Sequence, residues 1–101
     1  MDESSIITIA HLDIGVPEVS RFMGIVIRMY YEDHNPPHIH VSYSGERAVF
    51  RIEDYGLVAG KLPPRLVGVV VEWMAGRRGE LMDDWHRAER AEPLVQISPL
   101  E

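Results

Sequence analysis

The fold is decided by residues 33–53, whose sequence is DHNPPHIHVSYSGERAVFRIE. Within this stretch, Ser44-Gly45 separates two runs in which apolar and polar residues alternate, over 38–43 and 46–53. Such alternation is typical of half-buried strands, and Ser-Gly is typical of the tight turn between them. We therefore predict a β-hairpin. The residues predicted to face the core are Ile39, Val41, Tyr43, Ala48, Phe50 and Ile52.

The hairpin is flanked by two further strand signals. Upstream, residues 22–31 alternate in the same way, which predicts a strand with Ile25, Ile27 and Met29 towards the core. Downstream, the acidic and glycine residues at 54–56 predict a turn, and residues 57–60 predict a short further strand.

Two helices are predicted after the strands. Residues 64–75 carry apolar side chains at helical spacing, and Pro64 suits the first position of a helix. Gly76 and Gly79 interrupt this pattern, and residues 80–91 form a second amphipathic run. Strands first and helices last predict an α+β fold, in which a small antiparallel sheet of three to four strands is followed by two C-terminal helices packed on one face.

The chain has 101 residues, which favours a single domain. We expect one α+β domain over residues 18–101. Residues 1–17 lie outside the strand and helix patterns, and their only run with strand propensity covers residues 6–10. We expect these residues to form an N-terminal extension, either a strand or a flexible arm.

Composition narrows the classes of function. The chain has no cysteine, so disulfides and thiolate metal sites are excluded and any metal must be held by His, Asp or Glu. No apolar run approaches the roughly 20 residues of a membrane span, and the acidic pair Asp2-Glu3 is unlike the start of a signal peptide. We therefore expect a soluble cytoplasmic protein with no role in a membrane.

The net charge of −6 argues against broad, non-specific binding of nucleic acid. Nine of the ten basic residues are nevertheless arginine. The guanidinium group suits two-point contacts with phosphate or carboxylate, so a local arginine site within an acidic protein remains open.

Three of the five histidines lie within the seven residues 34–40. Pro36 and Pro37 fix the backbone between them, so this segment is stiff and extended. On a strand, His38 and His40 share one face with Cα atoms about 6.5–7 Å apart, which lets both imidazoles reach one ion or one proton. The residues at 33 and 34 lie across the proline bend and can fold back towards the pair.

Three interpretations of this segment are open. In the first, His34, His38 and His40 bind zinc, iron or nickel, with Asp33 as an alternative third ligand. In the second, His38, His40, His34 and Asp33 are catalytic acid or base residues near neutral pH without a metal. In the third, these side chains only hold the proline turn together by hydrogen bonds.

The strand alternation places further polar residues on the same face as His38 and His40. These residues are Arg28, Tyr30, Arg47 and Arg51. A face that carries imidazoles, guanidiniums and a phenol suits a phosphate or carboxylate group, so the three arginines are candidate phosphate-binding residues. The alternative is an ordinary solvated sheet face. Strand register decides between them, and alternation alone does not give the register.

Several segments of the chain carry a family resemblance. They are Arg21-Phe22, Gly24-Ile25, Ile27, Met29-Tyr30, Asp33-His34, Pro36-Pro37-His38, His40, Leu62-Pro63, Glu72-Trp73, Glu80-Leu81, Trp85, Glu92-Pro93-Leu94, Ile97 and Pro99-Leu100. Together they resemble the small bacterial family known as domain of unknown function 4160, over about residues 18–101. The proline–histidine segment is the most specific part of the resemblance.

The resemblance implies a small bacterial, cytoplasmic protein. It also implies a toxin–antitoxin-type pair, in which the partner is a small cognate protein from the neighbouring gene. The family's motif histidines correspond to His34, His38 and His40, beside Asp33. The resemblance implies no settled activity, and it leaves open whether this chain is the toxin or the antidote.

We therefore expect a component of a bacterial toxin–antitoxin-like pair whose histidine-rich segment acts on RNA or on a nucleotide phosphate. One alternative is a protein that binds a divalent metal such as zinc through the histidine segment. Another is a non-catalytic interaction module that binds a partner protein or forms a homo-oligomer. Whether the chain is an enzyme stays open at this point.

Overall fold

The computed structural model describes residues 17–101. Within this part of the chain, an antiparallel sheet of five strands is followed by two helices. The elements are β1 (Glu18–Phe22), β2 (Ile25–Arg28), β3 (His38–Tyr43), β4 (Glu46–Arg51), β5 (Leu57–Gly60), α1 (Pro64–Ala75) and α2 (Arg78–Glu89). The predicted α+β fold is confirmed, and the predicted count of three to four strands is wrong.

The missed strand is β1, because residues 22–31 do not form the one long strand that was predicted. Met23 and Gly24 have φ angles of 53° and 78°, which form a two-residue turn between β1 and β2. Phe22 then pairs with Ile25 in a first hairpin. Positive φ at both central residues matches the right-handed twist of the two strands. Met-Gly is a weak turn signal in sequence. The alternation of apolar and polar residues continues through it, so a single strand was predicted.

The second hairpin agrees with its prediction. Ser44 and Gly45 have φ angles of 48° and 86°, and they connect β3 to β4. The five strands lie side by side in chain order, each antiparallel to the next. This order needs only short connections, apart from the loop between β2 and β3.

One face of the sheet, here called the inner face, packs against both helices. Its buried strand residues include Phe22, Ile25, Ile27, Ile39, Val41, Ala48 and Phe50. The helices contribute Leu66, Val70, Trp73 and Met74 from α1 and Leu81, Trp85 and Ala88 from α2. All of these residues belong to one hydrophobic cluster, so the sheet and helices share a single core. The first helix has its predicted bounds, and α2 begins at Arg78, two residues before the predicted start.

The two edges of the sheet differ. The C-terminal tail runs along β1, where the Ile97 N–H donates to the Val19 carbonyl at 2.8 Å. Arg77 holds the same tail by donating to the carbonyls of Ser98 and Pro99. At the other edge, every residue of β5 is exposed.

The predicted strand or arm at the N-terminus lies outside the described residues. In residues 17–101, no helix is long and apolar enough to cross a membrane.

Candidate functional site

The candidate site is built by the loop between β2 and β3. The loop is held at both ends, because the Glu32 N–H donates to the Ala88 carbonyl of α2 and the Ile52 N–H donates to the Pro37 carbonyl. The Asn35–Pro36 peptide bond in this loop is cis. The loop carries Asp33 back over the first residues of β3.

Asp33 meets two histidines of β3. Its Oδ2 atom lies 2.8 Å from Nε2 of His38 and 3.1 Å from Nε2 of His40. The other oxygen, Oδ1, accepts a hydrogen bond of 2.8 Å from the His34 backbone N–H. We call Asp33, His38 and His40 the histidine cluster. Because His38 and His40 are two apart on one strand, both rings reach the same carboxylate oxygen.

His38 is the buried member of the histidine cluster, with 6% of its side chain exposed. Its Nδ1 lies 2.7 Å from the Pro36 carbonyl oxygen, and its ring centroid lies 5.2 Å from that of Trp85 on α2. A carbonyl oxygen only accepts, so Nδ1 carries a hydrogen. In a neutral imidazole, Nε2 then has a lone pair, and this lone pair faces the Asp33 carboxylate.

His34 lies outside the histidine cluster. Its side chain is 84% exposed, and its Nε2 lies 3.6 Å from Oδ1 of Asp33. Of the four residues predicted for catalysis, the structure therefore brings three together around one oxygen atom. Of the two residues predicted as alternative third ligands beside His38 and His40, Asp33 is the one that reaches both rings.

The pKa of Asp33 is lowered from its ordinary value of 3.8. Burial raises this pKa, but hydrogen bonds from His40 and from the His34 backbone, together with the charge interaction with His38, lower it further than burial raises it. Hydrogen bonds to a carboxylate favour its ionised form. The histidine cluster therefore carries a negative charge on Asp33 over most of the pH range.

Beside the histidine cluster lies a concavity of about 550 Å³ on the outer face of the sheet, the face opposite the core. Small-molecule sites commonly occupy about 300–1,000 Å³, and the volume of this concavity lies within that range. On the outer face it is lined by Arg28, Tyr30, His40, Ser42, Arg47 and Val49, with Ala59 and Gly60 of β5, and it also borders Val41 and Ala48, whose buried side chains belong to the inner face. His40 is the one residue that belongs both to this concavity and to the histidine cluster.

Strand register explains why these side chains meet. Arg28 pairs with His40 across β2 and β3, and Ser42 pairs with Arg47 across β3 and β4. Arg28 also donates to the Ser42 hydroxyl at 3.2 Å. The Tyr30 ring stacks on the His40 ring, with centroids 4.1 Å apart and planes 8° apart, and so fixes its orientation.

Arg51, the third predicted phosphate-binding residue, does not line the concavity. It pairs with His38 across β3 and β4, but its guanidinium donates two hydrogen bonds of 2.9 Å to Asp54. The structure thus brings together two of the three predicted arginines. Ser42 and Val49 also line the concavity but were not predicted, although Ser42 has the same strand parity as His40 and Val49 the same parity as Arg47.

The chain matches the family described as Domain of unknown function (DUF4160) over residues 24–86, which is more than half of its length. The matched range contains the histidine cluster and every residue that lines the concavity. No curated protein and no solved structure matches the chain. The chain therefore belongs to the DUF4160 family.

Proposed function

We propose that this protein binds a phosphate group of RNA or of a nucleotide in the outer-face concavity and cleaves the phosphate ester there with the histidine cluster. The observation that carries the proposal is that His40 belongs both to the histidine cluster and to the lining of the concavity. Its imidazole is hydrogen-bonded to the carboxylate of the cluster, and it also lines the concavity beside two arginines.

Arg28 and Arg47 are the residues proposed to hold the phosphate. Neither pairs with a carboxylate of residues 17–101, whereas Arg21, Arg51, Arg87 and Arg90 each do. Guanidinium groups form strong charge-assisted hydrogen bonds to phosphate oxygens. Because the protein as a whole carries a charge of −6, these two arginines provide a local attraction rather than a basic surface.

The histidine cluster is proposed to act on the phosphate ester next to His40. Cleavage of RNA requires removal of a proton from the 2′-hydroxyl and donation of a proton to the leaving 5′-oxygen. An imidazole near neutral pH serves both steps. A metal ion held by the same side chains activates a hydroxyl equally well. In either case Asp33 and Tyr30 keep the His40 ring in place.

Cleavage of a short single-stranded RNA by the purified full chain tests this proposal. We expect the wild-type protein to cleave, and Arg47→Gln and His40→Gln to lose most of the activity. Arg65→Gln is the matched control, since Arg65 is an exposed arginine on α1, at the opposite side of the sheet. Wild-type protein without cleavage, or equal cleavage by all four proteins, contradicts the proposal.

We also propose that the chain is one component of a bacterial, cytoplasmic toxin–antitoxin-like pair and binds a small cognate protein from the neighbouring gene. The resemblance of its motif segments supports this, as does the exposed edge strand β5, where Leu57 and Val58 are 41% and 48% exposed. Edge strands offer unpaired backbone groups to a partner strand. Size-exclusion chromatography with and without the neighbouring gene product tests the pairing, and an elution volume that does not change contradicts it.

A further inference from the structure

We propose that Asp33, His38 and His40 form a binding site for one divalent transition-metal ion, with Zn²⁺ as the best match. The proposal concerns the same site as the proposed function, but it depends on ligand geometry and not on RNA. The three side chains offer two imidazole nitrogens and one carboxylate oxygen, all within 4.8 Å of one another. Zinc takes such ligands at about 2.0–2.2 Å, which separates neighbouring ligand atoms by roughly 3.4 Å.

The observed separations are close to that requirement. Oδ2 of Asp33 lies 2.8 Å from one Nε2 and 3.1 Å from the other. Tetrahedral spacing needs these two pairs to move apart by about 0.3–0.6 Å, and the two Nε2 atoms lie within 4.8 Å of one another. No backbone rearrangement is required, because His38 and His40 already project from one strand.

His38 provides the strongest argument for a cation. Its Nδ1 donates to the Pro36 carbonyl, which leaves the lone pair of a neutral ring on Nε2. Metal-ligating histidines are commonly held by such a hydrogen bond from the other ring nitrogen to a carbonyl or carboxylate. In this structure, the lone pair faces a carboxylate oxygen at 2.8 Å, an arrangement that is favourable only with a cation between them. Either a second proton or a metal ion fills that role.

The surroundings of the histidine cluster favour a metal ion. The Trp85 ring packs beside the His38 ring, with centroids 5.2 Å apart, and 6% of the His38 side chain is exposed, so this ligand is held in a fixed position. The Tyr30 ring fixes His40 by stacking, and the His34 backbone N–H holds the second Asp33 oxygen. Each ligand is therefore oriented by a neighbouring group, as is common for the ligands of metal sites in proteins.

A fourth ligand would approach an ion in the histidine cluster from the side of the concavity, which His40 lines. His38 lies at the buried side of the cluster, whereas His40 lines the concavity beside Arg28 and Arg47. Catalytic zinc sites have three protein ligands and leave one position for water or substrate. A phosphate oxygen held by the two arginines is well placed to take that position. The metal ion would polarise the phosphate and lower the pKa of a bound hydroxyl.

The test is isothermal titration of Zn²⁺ into the full chain, purified without a histidine tag and treated with chelator, with Co²⁺ absorption as a report of coordination geometry. We expect one equivalent of zinc and a visible Co²⁺ spectrum typical of tetrahedral geometry. Asp33→Asn and His40→Gln should each weaken zinc binding more than tenfold. His86→Gln, which removes an exposed histidine on α2, should bind zinc as the wild type does.

Two results overturn the metal proposal. One is wild-type protein that binds no stoichiometric zinc, which would leave a hydrogen-bonded cluster and no metal site. The other is loss of binding in His34→Gln with retention in Asp33→Asn, which would assign a different third ligand. Thermal unfolding of each variant shows whether it is folded, and the wild-type stoichiometry decides the question even if a variant is not.

The metal proposal and the proposed function fail separately. Phosphate binding is measured by titrating inorganic phosphate into the metal-free wild-type protein and into the metal-free Arg47→Gln variant. Zinc binding without phosphate binding contradicts the proposed function and supports the metal site. Phosphate binding and RNA cleavage by a protein that binds no stoichiometric zinc contradict the metal site and support the proposed function.

Discussion

The two faces of the sheet are made from the same strands and have opposite properties. On the inner face, Ile27, Ile39 and Phe50 are fully buried against the helices. On the outer face, their immediate neighbours Arg28, His40 and Val49 line an open concavity. Because successive side chains of a strand point to opposite faces, stability and chemistry are assigned to alternate residues. Substitutions on the two faces should therefore have separable effects.

The largest effect is expected on the inner face. Phe50→Ala removes a fully buried ring from the core and leaves a cavity, which should lower the free energy of unfolding by about 3–5 kcal/mol. Urea denaturation followed by circular dichroism measures this. A loss below about 1 kcal/mol would mean that the inner face is not the core.

On the outer face, His40→Gln should reduce RNA cleavage by about 100-fold or more, the usual range for loss of an acid–base group. The same substitution should change the free energy of unfolding by less than about 1 kcal/mol, because the side chain is partly exposed and lies outside the core. Cleavage rates and urea midpoints are measured on one preparation. If the free energy of unfolding falls by well over about 1 kcal/mol together with the cleavage rate, the effects on stability and on activity are not separable at this position.

Arg47→Gln should weaken the binding of inorganic phosphate by about tenfold, the cost of one charge-assisted hydrogen bond. Arg51→Gln gives the sharper comparison within β4. Its guanidinium is already paired with Asp54, so phosphate affinity should stay within about twofold of the wild type. Isothermal titration measures both. Equal losses in the two variants would place Arg51 in the site as well.

A smaller effect concerns acid stability. The folded pKa of Asp33 is lowered, so its ionised form stabilises the fold above the ordinary pKa of 3.8, and this contribution is lost as the pH falls through the folded value. We therefore expect wild-type protein to be more stable than Asp33→Asn at pH 6. The difference should shrink below pH 3.8. A difference that stays constant between pH 6 and pH 3 would show that the carboxylate charge does not stabilise the fold.

Local patterns predicted most of the elements. The Ser44-Gly45 hairpin and the helix Pro64–Ala75 follow from short-range alternation, turn chemistry and helical spacing. The first strand was missed because it depends on a left-handed turn at Met23 and on a distant tail contact, from Ile97 to Val19. Neither of these leaves a periodic signal.

The residues of the candidate site were predictable from local patterns, but their arrangement was not. Strand parity put His38, His40, Arg28 and Arg47 on one face, but the register that brings them together comes from pairing across three strands. The position of Asp33 depends on how the loop closes onto α2, which the sequence does not encode locally. The ion pair of Arg51 was accessible from sequence, because Asp54 lies three positions after Arg51 and two before the turn glycine Gly56.

The most direct test of the function proposed for the outer face is nuclear magnetic resonance titration of the isotope-labelled full chain with a short single-stranded oligonucleotide. We predict shifts at the His40 imidazole, at the Arg28 and Arg47 guanidiniums and along the outer-face residues of β2–β4, with inner-face methyl groups unchanged. Shifts confined to the helices, or no shifts at oligonucleotide concentrations that saturate ordinary nucleotide sites, would contradict the assignment of function to this face.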